Sequence, residues 1–223
     1  MQIIDEVKNK TGFYLVLEGV DFCGKTTLAT TLVEKLIEKY GSINVVHKKE
    51  PSSFGYGLKM RNVLFSDEDL SIEKEIIAAK YMLLDRINNT SEVSQLLREN
   101  KIVIQERNFL TALVYNEGSD KDEVKFIQEI NKFSLKPDFL ALVNVSDTML
   151  DYRIGKSKEE RGKLDSYETF EKVMKRKREY FKFEEYINTI LPNDNKESFE
   201  NNIAALLKLI DMLASPVQLH SLR

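Results

Sequence analysis

A single cysteine, Cys23, stands among 223 residues, so no disulfide can close within the chain and a reducing compartment is the expected setting. Long apolar runs are also missing: none approaches the ~20 residues that a membrane-spanning helix needs. Charge of one sign is lacking too. The 33 Lys and Arg face 36 Asp and Glu, a formal net charge of −3, which argues against nucleic-acid binding by bulk positive charge. The first ten residues carry Asp5, Glu6, Lys8 and Lys10 where a secretory leader would be apolar. No repeat, low-complexity tract or interdomain linker breaks the chain. These absences leave the expectation of a soluble, cytoplasmic, single-domain protein large enough to bury a sizeable core.

What is present is concentrated in residues 13–40. Phe13-Tyr14-Leu15-Val16-Leu17 is apolar, aromatic and branched, the composition of a buried strand. It runs into Gly19-Val20-Asp21-Phe22-Cys23-Gly24-Lys25-Thr26-Thr27, followed by a helical stripe of Leu28, Leu32, Leu36 and Ile37. Gly19 and Gly24-Lys25-Thr26 have the spacing of a phosphate-binding loop. The glycines let consecutive N–H groups turn inward around an anion at the positive end of the next helix. Lys25 brings a mobile charge to the β- and γ-phosphates, and the Thr26 hydroxyl is a hard oxygen ligand for Mg²⁺.

Further strands are expected at 43–47, 101–105, 139–145 and 187–191. Helices are expected near 58–65, over 72–87 and 91–100 as separate pieces, and over 109–115 and 121–133. A short helix should follow Asp147, with longer ones running to about 186 and over 197–213. Ser71-x-x-Lys74 is a weak start signal, and Ile72, Ile76, Ala79, Leu83 and Ile87 form a helical stripe. Alternating strands and helices imply a parallel sheet covered on both faces, with ligands at the carboxyl ends of its strands.

That rule selects residues just past each strand. Asp21 in the loop suits a second substrate or metal-bound water, or is a solvent-facing turn residue. Cys23 reads as a small residue that fits. Lys49 could meet an acceptor phosphate and Glu50 could accept a proton; a solvated strand end accounts for both equally well. Arg107 leaves a strand at the active edge, where a planar guanidinium suits phosphate, and Glu106 beside it could hold Mg²⁺ through water. Met82 and Arg86 share a helical face fit for a flat base, or are core edge and surface. His47 and His220 lack metal-ligand partners at useful spacing. Residues 153–163 hold five basic residues and one apolar one: a solvated loop, or a mobile lid that brings Arg153 or Arg161 to a transferring phosphoryl group. The loop itself contains no arginine between its glycines, which favours the lid.

From Phe13 to about Leu209 the chain resembles the thymidylate (dTMP) kinases among the nucleoside monophosphate kinases. The landmarks come in order: the phosphate loop with its acidic Asp21, then Lys49-Glu50-Pro51, Leu84-Asp85-Arg86 and Glu106-Arg107-Asn108. Val114-Tyr115-Asn116 and Arg161-Gly162-Lys163-Leu164-Asp165-Ser166-Tyr167-Glu168 complete the series. The resemblance implies an α/β, three-layer P-loop kinase fold: a five-stranded parallel sheet with helices on both faces and a mobile lid at about 153–165. It implies one kinase domain over 13–213, a lead-in of 1–12, a tail of 214–223, Mg²⁺-ATP as donor and a homodimer acting on small nucleotides. Residues 19–27 would hold ATP. Asp21 would sit near the acceptor's 3′-hydroxyl, and Lys49 and Arg107 near its 5′-phosphate. Arg86 would bond the thymine carbonyl, Tyr115 would crowd the 2′ face, and Thr111 joins the substrate-binding set. Met82 replaces the family's stacking aromatic, and Ala112 stands where a polar side chain often meets the base.

The expected reaction is transfer of the ATP γ-phosphoryl to dTMP, with Lys25, Arg107 and a lid arginine stabilising charge. The alternatives are a broader deoxynucleoside monophosphate kinase, or a deoxynucleoside kinase with Glu50 as base. A nucleotide-dependent switch lacks its guanine motif, since Asn131-Lys132-Phe133-Ser134 has no Asp.

Overall fold

The computed structural model describes residue 4 and residues 7–64, 72–115, 131–162 and 168–214. Five parallel strands form one sheet in the order β2-β3-β1-β4-β5. They are β1 (Phe13–Glu18), β2 (Val45–Lys49), β3 (Ile102–Glu106), β4 (Phe139–Asn144) and β5 (Thr189–Pro192). Every residue of β1 and β3 is buried, as strands covered on both faces must be. Leu17 pairs with Glu106, Lys49 with Glu106, and Glu18 with Leu142, so the expected site residues leave the sheet at one level.

The helices are α1 (Lys25–Tyr40), α2 (Gly55–Leu64), α3 (Ile72–Arg98), α4 (Phe109–Tyr115), α5 (Asp147–Arg161), α6 (Phe170–Tyr180) and α7 (Lys196–Leu213), with 3₁₀ turns at Ser42–Asn44 and Phe181–Tyr186. In α1 the expected stripe of Leu28, Leu32 and Leu36 is fully buried, and Gly41 ends the helix at φ 84. The lead-in is tied down where it is described. Ile4 bridges Leu135, Val7 joins the core, and Gly12 N–H donates to Leu97 O (2.8 Å).

Three expectations are corrected. Residues 72–87 and 91–100 are not separate helices; α3 runs unbroken from Ile72 to Arg98. The Asn88–Ser91 stretch looked like a break because such side chains compete with the helical backbone. Here Asn89 is spent on Glu50 and Gln105, and the Thr90 hydroxyl donates to Phe133 O (2.5 Å).

The apolar stripe on α3 is not its core face: Ile76 and Ile87 are exposed, while Ala78, Asp85, Arg86, Asn89, Val93 and Leu97 turn inward. Finally, residues 153–161 are not a loop. Ser146 caps α5 by accepting Met149 N–H (3.3 Å), the helix continues to Arg161, and Gly162 ends it at φ 73. Buried Leu150 and Ile154 dock it, so charge alone on the outer face did not unwind it.

Smaller shifts follow the same pattern. β2 starts two residues late, after a 3₁₀ turn, and the helix expected to reach 186 becomes 3₁₀ after Tyr180. The start signal at Ser71, most of the helix at 121–133, Asn116, Lys163–Tyr167 and the tail beyond 214 lie outside the described residues. Among the described residues no helix is long and apolar enough to cross a membrane.

Candidate active site

The phosphate loop closes between β1 and α1. Gly19 takes φ 140, and a Cβ there would lie 2.4 Å from Val143 O. Gly24 takes φ 88, and a Cβ would lie 2.6 Å from Asn193 Nδ2. Both positions therefore need glycine for conformation and for room. The loop's outer side is held by β5 and α5: Asn193 Nδ2 donates to Cys23 O (2.8 Å), and Arg153 donates to Phe22 O (3.2 Å) and Asn193 O (2.6 Å). Val20 and Cys23 are buried, so the thiol fills space inside the loop.

Lys25 is buried and its Nζ donates to Val20 O (2.8 Å). Burial first, and then the Arg107 charge, push its pKa below the ordinary lysine value; Cys23, Asp21 and Glu18 oppose this. Thr26 Oγ1 donates to Glu106 Oε2 (2.5 Å). His47 Nε2 lies 3.2 Å from Glu106 Oε1 and Lys49 Nζ 3.6 Å from Glu106 Oε2. Burial would raise the Glu106 pKa, but these hydrogen bonds and the Lys49 charge bring it to about 2. Among the described residues no three His, Cys, Asp or Glu side chains group to hold a metal. The hard oxygens of Thr26 and Glu106 nevertheless meet next to Lys25, a donor set that fits Mg²⁺ shared with phosphates and water.

Past β3 the backbone turns sharply, with Arg107 at φ 65. A buried relay supports the turn. Glu50 accepts from Asn89, Asn89 donates also to Gln105, and Gln105 Nε2 donates to Arg107 O (2.8 Å). Arg107 pairs with Asp21 and donates to Tyr115 Oη (3.1 Å), while Tyr115 donates to Asp21 Oδ2 (2.7 Å). Burial alone would raise the Asp21 carboxyl; Arg107, Lys25, the Tyr115 hydrogen bond and Arg176 instead hold it at about 2. Asp21, Lys25, Thr26, Lys49, Glu106 and Arg107 together line a cleft of about 240 Å³. A second cavity of about 470 Å³ opens beside Gly24 and Thr27, between Phe22, Arg153, Asn193, Asn195, Lys196 and Phe199.

Other expected residues sit elsewhere. Arg86 is fully buried and does not face the open cleft: its Nε (3.1 Å) and Nη2 (2.8 Å) donate to Glu50 Oε2 and its Nη1 to Asn131 Oδ1 (2.6 Å). Met82 is half-buried one turn earlier on α3. Thr111 turns its hydroxyl to Glu18 Oε2 (2.5 Å). Arg161 pairs with Glu168 (2.8 Å) and has its guanidinium carbon 5.8 Å from the Phe22 ring centre.

The sequence reading missed Glu18, a fully buried carboxylate that accepts Asn108 N–H (2.8 Å), Thr111 N–H (3.2 Å) and Tyr180 O–H (3.1 Å). Burial raises its pKa against the pull of the Thr111 hydroxyl, of Arg107 and of the Asn108 and Thr111 N–H groups. A charged residue closing an otherwise apolar strand was the available signal. Two further misses are His47, which sits at Glu106 rather than alone, and Arg176, buried on α6.

Comparison with known proteins bears directly on this geometry. A family model described as thymidylate kinase matches residues 17–203. A probable thymidylate kinase of Methanosphaera stadtmanae is 27% identical over 204 residues, 88% of this chain and 100% of that one. One from Archaeoglobus fulgidus is 31% identical over 163 residues, 72% of this chain and 76% of the other. Among solved structures, thymidylate kinase from Ehrlichia chaffeensis has a similar fold. Its TM-score is 0.62 at 20% identity, covering 89% of this chain and 98% of that chain.

Proposed function

Because the chain belongs to the thymidylate kinase family, we propose that it transfers the γ-phosphoryl of ATP to the 5′-phosphate of dTMP, giving dTDP and ADP. One observation carries the reading: a single cleft gathers Lys25, Lys49 and Arg107, enough positive charge for two phosphorylated substrates. Lys25 now donates to a loop carbonyl, and the donor's β- and γ-oxygens would take that carbonyl's place. Residues 19–27 wrap the donor phosphates, and the cavity between Phe22 and Asn195 receives its base and ribose. Lys49 and Arg107 bind the acceptor phosphate. Thr26 and Glu106 would hold Mg²⁺, which when bound would offset negative charge on the phosphates.

The acceptor phosphate carries its own nucleophilic oxygen, so the residues need only align it and offset charge. Asp21, fixed by Arg107 and Tyr115, orients the acceptor sugar, and Tyr115 stands by its 2′ face. Arg161 reaches the transferring group when it leaves Glu168, while Arg153 keeps the loop in shape. Met82 faces the acceptor base. Arg86 acts on the acceptor side through Glu50 and Asn108.

The kinase domain spans 13–213, with a lid at about 153–165. Ile76, Ile77, Leu84 and Ile87 are exposed within an arc of about 100° on α3, which supports a homodimer through that face. A deoxynucleoside kinase would need Glu50 free to take a hydroxyl proton; it is 2% exposed and held by Arg86 and Asn89. Phosphorus NMR of a reaction with Mg²⁺-ATP and dTMP tests the proposal. A diphosphate signal growing in step with ADP supports it; ATP hydrolysis to inorganic phosphate alone would overturn it.

A further inference from the structure

Helix α6 turns Val173, Arg176 and Tyr180 inward, spaced three and four apart on one face. Val173 meets apolar core, and the Tyr180 hydroxyl reaches Glu18. Arg176 is only 9% exposed, which is unusual for a side chain with so large a desolvation cost. Its guanidinium carbon lies 4.1 Å from the Tyr115 ring centre, nearer than that of Arg107 at 5.2 Å. A guanidinium so close to an aromatic ring is attracted by the ring's quadrupole, more strongly when water is excluded.

Tyr115 is the hinge of the acceptor side, because its hydroxyl joins Asp21 and Arg107. We propose that Arg176 is a positioning residue for the acceptor nucleotide: it fixes the Tyr115 ring and, through that ring, aligns Asp21 and Arg107. This rests on the acceptor reading given above. The electrostatics agree, since Asp21 responds to Lys25, Arg107 and Arg176 together. An apolar side chain would serve as well if α6 merely had to pack against α4.

The test compares wild type with Arg176→Met, Arg176→Lys, Tyr115→Leu and the double variant Arg176→Met/Tyr115→Leu. Steady-state kinetics give separate KM values for dTMP and ATP, and calorimetric titration with dTMP reads the acceptor site without turnover. Misplacing the acceptor should raise the dTMP KM and weaken its calorimetric affinity by about tenfold to a hundredfold in Arg176→Met. The ATP KM should stay within about twofold, with Arg176→Lys recovering only part of the loss because it lacks the planar fork. Added to Tyr115→Leu, Arg176→Met should cost little more, because both act through one ring.

The inference is overturned if Arg176→Met leaves dTMP binding unchanged. It is equally overturned if both KM values rise together while thermal stability falls, or if the two substitutions multiply. Wild-type protein that binds dTMP but does not phosphorylate it would refute the proposed reaction and leave the affinity comparison to decide the role of Arg176.

Discussion

Arg86→Met probes the buried ion pair beneath the site. Glu50 is 2% exposed and Arg86 fully buried, and the guanidinium supplies two hydrogen bonds to Glu50 Oε2 and one to Asn131. Methionine keeps much of the volume but leaves a carboxylate with Asn89 as its remaining side-chain donor among the described contacts. Removing one partner of a buried pair costs ~3–5 kcal/mol, because the other charge stays desolvated. That is a large share of a native stability of ~5–15 kcal/mol. For a chain of this size each kcal/mol moves Tm by about 2–4 °C, so the expected fall is about 6–20 °C. Calorimetry and urea unfolding followed by circular dichroism would measure it. Adding Glu50→Met should restore most of the loss, since both charges are then gone. A fall below about 2 °C, or a double variant no better than the single one, would refute the account of Arg86 as a core ion-pair residue.

Four further outcomes are expected. Lys25→Met should lower kcat by about a hundredfold or more with little change in Tm, as loss of one charge stabiliser does; near-normal turnover would remove Lys25 from the mechanism. Asp21 has its pKa depressed to about 2 from 3.8, so it stabilises the fold above the unfolded value and that contribution disappears as pH falls from about 4 to 2. Asp21→Asn should therefore unfold with a shallower acid limb over that window, and an unchanged limb would contradict the pairing with Arg107. Glu106→Gln should raise the Mg²⁺ concentration for half-maximal rate by about tenfold, measured by metal titration after chelation. Leu84→Glu on α3 should shift the sedimentation coefficient from dimer to monomer, and a dimer that survives would move the interface elsewhere.

The fold and the phosphate loop were legible because their signals are local. A short apolar run, glycines at fixed spacing and a striped helix need no distant partner to be read. Residues at strand ends were legible for the same reason, since topology alone sends Asp21, Lys49, Glu106 and Arg107 to one edge. Tertiary partners hid the rest. The inward face of α3 is polar because Asp85 holds the Ser52–Gly57 turn, with Ser52 N–H (2.8 Å) and Gly57 N–H (3.0 Å) donating to it, and Arg86 holds Glu50. Its apolar stripe therefore does not mark the inward face. Arg176 lay inside the charged run Lys175–Arg178, where only the inward spacing with Val173 and Tyr180 marked it. The helical form of residues 153–161 depends on two buried anchors, Leu150 and Ile154, that a count of charges overlooks.

The central claim is that the cleft of Lys25, Lys49 and Arg107 serves a phosphorylated deoxynucleotide acceptor. A coupled ADP-release assay with Mg²⁺-ATP against thymidine, dTMP, dUMP, dCMP, dGMP and the ribose counterpart of dTMP tests it most directly. The account predicts the highest kcat/KM with dTMP and none with thymidine. Turnover of thymidine but of no monophosphate would contradict it.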